Sequence, residues 1–242
     1  MKIRTLFISD IHLGNKKSSA DYLLKVLKEY EYDNLIIVGD FIDLTSLKKT
    51  FFWKNSHSKV IQKILKISKK VKVTYILGNH DYYLRGLIEE SPIKLGKILI
   101  TDELIYQTLK GEKIYICHGD QFDGFVKLNP ILYKIGDWAY EFSFKISRTY
   151  NYIRRLFKQD EWSLSAYLKG KVKNVISFLN DFKEISKQKA KQMKCDSIMI
   201  GHIHTPEVSK LDEYNYYNIG DFCESCSFLI ENLEGEIILI KK

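Results

Sequence analysis

Proline and cysteine are scarce in this chain, with three and four among 242 residues. Few prolines beside 13 glycines exclude collagen-like and linker-dominated sequences. Four cysteines do not make a disulfide scaffold. Cys223 and Cys226 have CxxC spacing, but no second CxxC or histidine pair completes a zinc site around them. The four thiols are expected to be reduced and mostly buried. No apolar run approaches the ~20 residues of a membrane span. The apolar stretch at the N-terminus is too short for a signal-peptide core, and no small-residue cleavage site follows it. These absences lead to the expectation of a cytoplasmic protein, with peripheral membrane contact left open. What is present points to a packed fold: 45% of residues are apolar and 13% aromatic, unlike a disordered chain. The length suits a single α/β domain over residues 1–242.

Five short apolar runs read as buried strands: Thr5 to Ile8, Asn34 to Val38, Val73 to Leu77, Lys113 to Cys117 and Ser197 to Ile200. Leu23, Leu24 and Leu27 lie at helical spacing between the first two runs. Val60, Ile61, Ile64, Leu65 and Ile67 do so before the third. Alternating strands and helices predict parallel crossovers. Tyr214 to Ile219, Cys226 to Glu231 and Glu236 to Lys241 read as further strands, with Glu234-Gly235 as a turn.

Charge is unevenly placed. Residues 125–194 hold fifteen Lys/Arg against six Asp/Glu, more than the whole net charge of +8. Such a segment fits an anionic substrate, an anionic membrane surface or nucleic acid; a solvated lysine-rich surface fits it equally. No nucleic-acid motif accompanies it, which sets nucleic acid aside as the expected partner. The segment reads as a mostly helical insertion. Ile131, Leu132, Ile135, Trp138, Ala139, Phe142 and Ile146 form one apolar stripe at helical spacing. Arg148, Arg154, Arg155 and Lys158 follow it. One reading is a lid in which Trp138 and Phe142 meet apolar parts of a substrate while Arg154 and Arg155 meet phosphate. The other is an ordinary cap packed on the sheets.

Polar residues gather just past each predicted strand: Ser9-Asp10-Ile11-His12, Gly39-Asp40-Phe41-Ile42-Asp43, Gly78-Asn79-His80-Asp81, His118-Gly119-Asp120 and Gly201-His202-Ile203-His204. Sites in α/β sheets form beyond the strand carboxyl ends. Five of the six histidines fall in these loops. Asp-x-His and His-x-His are expected to point two ligands to one side of an extended backbone. Asp40 has two oxygens and can bridge two cations, and the mixed nitrogen and oxygen donors suit Mn, Fe, Zn or Co. Two cations ~3.5–4 Å apart clamp the attacking and leaving oxygens of a phosphoryl displacement. His57 reads either as structural or as adjacent to substrate. Asp43 and Asp120 read as supporting groups, and Asp221 as a residue either near the site or far from it.

Taken in order, the blocks D-x-H, G-D-x-x-D, G-N-H-D, H-G-D and G-H-x-H resemble those of the calcineurin-like metallophosphoesterases. The resemblance implies two mixed β-sheets in a sandwich flanked by helices, with a dinuclear site at one edge. It implies that Asp10, His12, Asp40 and His204 hold one metal while Asp40, Asn79, His118 and His202 hold the other. Mn²⁺ is the foremost ion, with Fe or Zn as alternatives. His80 would protonate the leaving-group oxygen and Asp81 would orient His80. The segments His118 to Gly124, Gly136 to Glu141, Trp162 to Lys169 and Lys171 to Asn174 further resemble the bacterial UDP-2,3-diacylglucosamine pyrophosphatases and their paralogues. That likeness implies a lipid- or nucleotide-linked pyrophosphate in lipid A biosynthesis as substrate, and a location peripheral to the inner membrane. The pyrophosphatase motif reads G-N-R-D where this chain has His80, as paralogues do. The alternatives are a phosphodiesterase for nucleic acid or cyclic nucleotides, and a metal-binding scaffold without turnover. Oligomeric state has no signature in the sequence.

Overall fold

The computed structural model of the protein describes residues 1–88, 91–124 and 164–242, and for 164–177 the backbone alone. Two sheets organise these residues. The larger takes β1 (Thr5–Ile8), β2 (Asn34–Val38), β3 (Lys72–Ile76), β4 (Ile93–Leu95), β5 (Ile98–Thr101), β11 (Ser227–Glu231) and β12 (Ile237–Lys241), in the order β12-β11-β1-β2-β3-β5-β4. The smaller takes β6 (Glu103–Gln107), β7 (Lys113–Cys117), β8 (Ser197–Ile200), β9 (Glu207–Leu211) and β10 (Tyr214–Asn218), in the order β6-β7-β8-β10-β9. β1, β2, β3 and β5 run parallel, as do β7, β8 and β10, while the outer strands are antiparallel. Both sheets are therefore mixed, as the resemblance implied.

The strand runs are continuously apolar because both faces of the larger sheet are covered. Leu6, Ile8, Leu35, Ile37, Val73 and Tyr75 pack with Leu23, Val26 and Leu27 of α1 (Ala20–Glu29) and with Val60 and Ile64 of α3 (Asn55–Ile67). The alternate residues Phe7, Ile36, Val38 and Ile76 turn the other way. They pack with Ile114, Ile116, Met199 and Tyr217 of the smaller sheet. Each fully buried aliphatic side chain in these layers contributes about 1.5–3 kcal/mol. The parallel strands carry their polar loops to one edge.

Some elements escape the sequence pattern. β4, β6 and β9 are largely exposed, so their apolar alternation is weak. α2 (Leu44–Lys49) has no buried residue and is set by its cap: the Asp43 carboxylate accepts the Ser46 amide at 2.7 Å. α3 begins at Asn55 rather than Val60, because its polar first turn buries Ser56 and His57.

The chain divides into two compact units, Met1–Gln121 with Ser186–Lys242, and Phe122–Ile185. In the first, Lys189 of α4 (Leu164–Gln192) lies over the buried Tyr115 ring, 5.5 Å from its centroid. In the second, the Phe122 and Phe182 rings meet edge-on at 5.6 Å. The expected lid over 125–194 falls largely on residues outside the described ones. No helix among the described residues is long and apolar enough to cross a membrane.

A polar clamp ties the sheets together. The buried Glu231 of β11 accepts the Leu109 amide at 2.7 Å, Arg4 Nη1 at 3.3 Å and the Tyr106 hydroxyl of β6. Thr5 Oγ1 of β1 lies 2.5 Å from the same hydroxyl. Removing one partner of a buried charged cluster leaves the others unpaired, typically at about 3–5 kcal/mol. Glu231→Ala is expected to lower stability by that order in urea unfolding, and Tyr106→Phe by about 1 kcal/mol. A Glu231→Ala loss no larger than that of Tyr106→Phe would contradict the clamp.

Candidate metal centre

Backbone conformation sets the site. Asp10, His12, Asp40, His202 and His204 have φ of 51°, 50°, 49°, 64° and 49°. These side chains thus leave a left-handed backbone rather than the extended one expected from the x-spaced motifs. Non-glycine residues rarely occupy this region, at about 1–3 kcal/mol each. Adjoining loops hold them there: the His12 amide donates to the Asp40 carbonyl at 2.8 Å and the Phe222 amide to the Asp10 carbonyl at 3.0 Å. Close packing demands glycine alongside. A Cβ on Gly78 would collide with Asp40 Oδ1, and one on Gly201 with Ser9 Oγ and Asp10 Oδ2.

The seven expected ligands come together. Asp10, His12 and His204 bring donor atoms within 4.8 Å of one another, as do Asp10, Asp40 and His118. Asp10 Oδ1 is 3.0 Å from His204 Nε2 and 3.7 Å from His12 Nε2. Asp40 Oδ2 lies 3.4 Å from His118 Nε2 and 3.7 Å from His12 Nε2, so it reaches both groups. Asn79 Oδ1 is 3.2 Å from His118 Nε2 and 3.0 Å from His202 Nδ1. His118 Nδ1 lies 2.9 Å from the Val38 carbonyl, an acceptor that assigns the proton to Nδ1 and turns Nε2 toward Asp40 and Asn79. Two further bonds fix the carboxylates: the His202 amide donates to Asp10 Oδ2 at 3.0 Å, and the His80 amide to Asp40 Oδ1 at 2.7 Å.

These donors are buried, which concentrates their charge. Asp10 and His118 are wholly enclosed, and Asp40 and His12 nearly so. Burial alone would lower the His12 pKa, but Asp10, Asp43 and Asp40 outweigh it and push it up to about 10. Burial likewise opposes charge on Asp10, yet His118, His12 and His204 hold it well below the usual carboxylate range. His118 is raised against its burial by Asp40 and Asp10. Neither ring nitrogen of His12 has a hydrogen-bond partner among the described residues. A buried imidazole with unused nitrogens among ionised carboxylates fits a divalent cation. The oxygen and nitrogen donor set fits a transition metal.

His80 also brings a donor atom within 4.8 Å of those of His12 and Asp40. Its ring packs edge-on against His12 with centroids 4.6 Å apart, and its Nδ1 is 2.7 Å from Asp43 Oδ1. The expected Asp81 contact is absent. Asp81 instead accepts the Gly78 amide at 2.5 Å, the Phe41 amide at 3.0 Å and the Tyr75 hydroxyl, which turns its carboxylate into the loop base. Asp43 therefore orients His80, in the supporting role its motif position indicated. His12, His80, Ser46 and Asn15 keep Asp43 ionised despite burial.

The remaining residues sort plainly. His57 is buried and structural: its Nδ1 accepts the Gly14 amide at 3.1 Å, which steadies the loop after His12. Burial opposes charge on His204, but Asp10, with Asp221 behind it, raises its pKa; Asp221 Oδ1 itself caps a turn by accepting the Cys223 amide at 2.7 Å. All four cysteines are unbridged, three of them buried. Trp138, Phe142, Arg154 and Arg155 lie outside the described residues. Ser9, Tyr75 and Arg85 were not singled out in sequence. Ser9 adjoins Asp10, with Oγ 2.5 Å from Asp10 Oδ2, whereas nothing in sequence marks the other two.

The uncharacterized metallophosphoesterase YkoQ of Bacillus subtilis is 29% identical over 119 residues, which are 48% of this chain and 38% of that relative. Hypothetical protein PH1004 from Pyrococcus horikoshii OT3 is 12% identical, with 100% of this chain and 88% of that one covered at a TM-score of 0.50, a likeness of fold alone. The phosphoesterase Yfce from E. coli is 15% identical, with 98% and 97% covered at a TM-score of 0.46. The family model described as calcineurin-like phosphoesterase matches residues 3–206. With that span containing every loop from Asp10 to His204 that carries a candidate ligand, the chain belongs to the calcineurin-like phosphoesterase family.

Proposed function

We propose that this phosphoesterase hydrolyses a phosphate anhydride in a lipid- or nucleotide-linked pyrophosphate of the UDP-2,3-diacylglucosamine kind, at the cytoplasmic face of the inner membrane. The observation that carries the hydrolytic part is the His80–Asp43 pair at 2.7 Å beside the convergent donor set. Asp10, His12, Asp40 and His204 would hold one cation. Asp40, Asn79, His118 and His202 would hold the other, with Mn²⁺ the preferred ion. When bound, such a pair supplies activation of water near neutral pH and neutralises charge on the transferring phosphoryl group.

The protein's own side chains do the rest. Asp43 accepts from His80 Nδ1, which orients the imidazole and leaves Nε2 to face outward. A proton held there is placed for the leaving-group oxygen, a contribution typically worth 10²–10⁴-fold. The enclosed floor around Asp10 and His118 excludes water from the donor atoms. Substrate choice is assigned to the basic segment 125–194. There Trp138 and Phe142 would meet acyl chains, and Arg154 and Arg155 would meet phosphate.

Metal analysis and turnover separate these roles. Asp40→Ala is expected to lose bound Mn²⁺. His80→Ala is expected to keep parental metal content while turnover falls by about 10²–10⁴-fold; unchanged metal in Asp40→Ala would defeat the bridging assignment. A substrate panel with Mn²⁺, comparing an aryl phosphate diester, a cyclic nucleotide and a UDP-linked diacyl sugar, is expected to favour the acyl sugar. Preference for the cyclic nucleotide would replace the pyrophosphate reading with a phosphodiesterase, and no turnover of any would leave a binding scaffold. Co-sedimentation with anionic vesicles is expected to weaken as salt rises, because basic residues near such surfaces contribute about 1 kcal/mol each. Salt-independent binding would refute electrostatic membrane contact.

A further inference from the structure

Arg85 makes contacts that the hydrolytic site does not require for binding anything. It lies on the short 3₁₀ turn Tyr82–Leu87, just after the Asn79-His80-Asp81 loop. Its Nη1 and Nη2 donate in parallel to Asp120 Oδ2 and Oδ1, at 2.7 and 3.0 Å. Nη2 also reaches the Leu77 carbonyl at 3.3 Å, and Nε donates to Asp102 Oδ1 at 2.9 Å. The fork is committed to a carboxylate with two-point geometry, the strongest arrangement open to a guanidinium. Two carboxylates beside it balance its charge, so it is poorly disposed to receive a phosphate.

The partners belong to two sheets. Leu77 directly follows β3 of the larger sheet, two residues before Asn79. Asp120 follows β7 of the smaller sheet, two residues after His118. Arg85 therefore joins the loop that carries Asn79 to the loop that carries His118, on the side where Asn79 Oδ1 and His118 Nε2 stand 3.2 Å apart. Asp120 is nearly buried, with 9% of its side chain exposed against 51% for Asp102, so the fork is the shielded half of the contact.

We infer that Arg85 is a positioning residue for the cation position formed by Asp40, Asn79, His118 and His202. It works through Asp120 to set the separation of two ligands contributed by different sheets. The other position, on Asp10, His12, Asp40 and His204, shares only Asp40 with it and takes no ligand from the two loops that the strap joins. Groups that orient metal ligands from behind typically change affinity 10–100-fold when removed. The inference rests on the two-cation reading and goes beyond it by assigning unequal dependence to the two positions.

The test is Mn²⁺ titration by calorimetry, with electron paramagnetic resonance of the loaded protein. The parent is expected to bind two Mn²⁺ and give a spin-coupled spectrum. Arg85→Met is expected to keep one Mn²⁺ at parental affinity, bind the second about 10–100-fold more weakly and lose the coupled signal. Arg85→Lys is expected not to restore it, because an ammonium cannot make the two parallel bonds. Asp102→Asn, which leaves the Asp120 fork intact, is expected to retain both ions. Two ions at parental affinity in Arg85→Met, with coupling preserved, would overturn the inference. Equal weakening of both ions would do the same, since it would mark a general structural role. Should Arg85→Met not fold, Arg85→Lys and Asp120→Asn carry the same criteria. A parent that binds fewer than two Mn²⁺ would sink the two-cation reading itself.

Discussion

Three carboxylates, Asp10, Asp40 and Asp43, are buried together where the two sheets meet at their loop edge. Removing a carboxylate from water is strongly unfavourable unless positive charge or hydrogen-bond donors replace the lost solvent. Every other feature of the site follows from that requirement. Amide groups of His80 and His202 point at the carboxylate oxygens, and imidazoles fill the space between them. Burial opposes charge on His12, yet Asp10, Asp43 and Asp40 raise its pKa, so the carboxylates favour positive charge at this position. A site built this way favours cation capture because its donors are held in place before the ion arrives.

The fold supplies the rigidity. Alternating residues of β1, β2 and β3 face helices on one side and the smaller sheet on the other. Those strands therefore cannot slip without exposing apolar surface. Their ends are fixed, and the unfavourable left-handed conformations at five candidate ligands can be sustained there. Strain of this sort persists only where the surroundings over-determine it. Here the stabilising layers lie within the sheets, and the strain lies in the loops that hold the candidate ligands.

Much of this was legible in the sequence. The buried strands announce themselves as apolar runs, and the loop blocks name seven residues whose polar groups the fold brings together. Less was legible at the edges. β4 and β9 bury too little to show alternation, and α2 depends on one cap. Asp81 adjoins His80 in sequence and so invites pairing with it, yet backbone amides of Gly78 and Phe41 claim its carboxylate. Asp43, thirty-seven residues from His80, holds the imidazole instead.

Residue types and their order along the chain determined the strands, the donor set and the family, because each depends on chemistry that a residue carries wherever it lies. Tertiary structure alone decided the left-handed backbone at the candidate ligands, the Asp43 partner of His80 and the Arg85 fork on Asp120. Each of these pairs or conformations is set by how loops from distant positions pack against one another. That packing exists only once the sheets have brought their ends together.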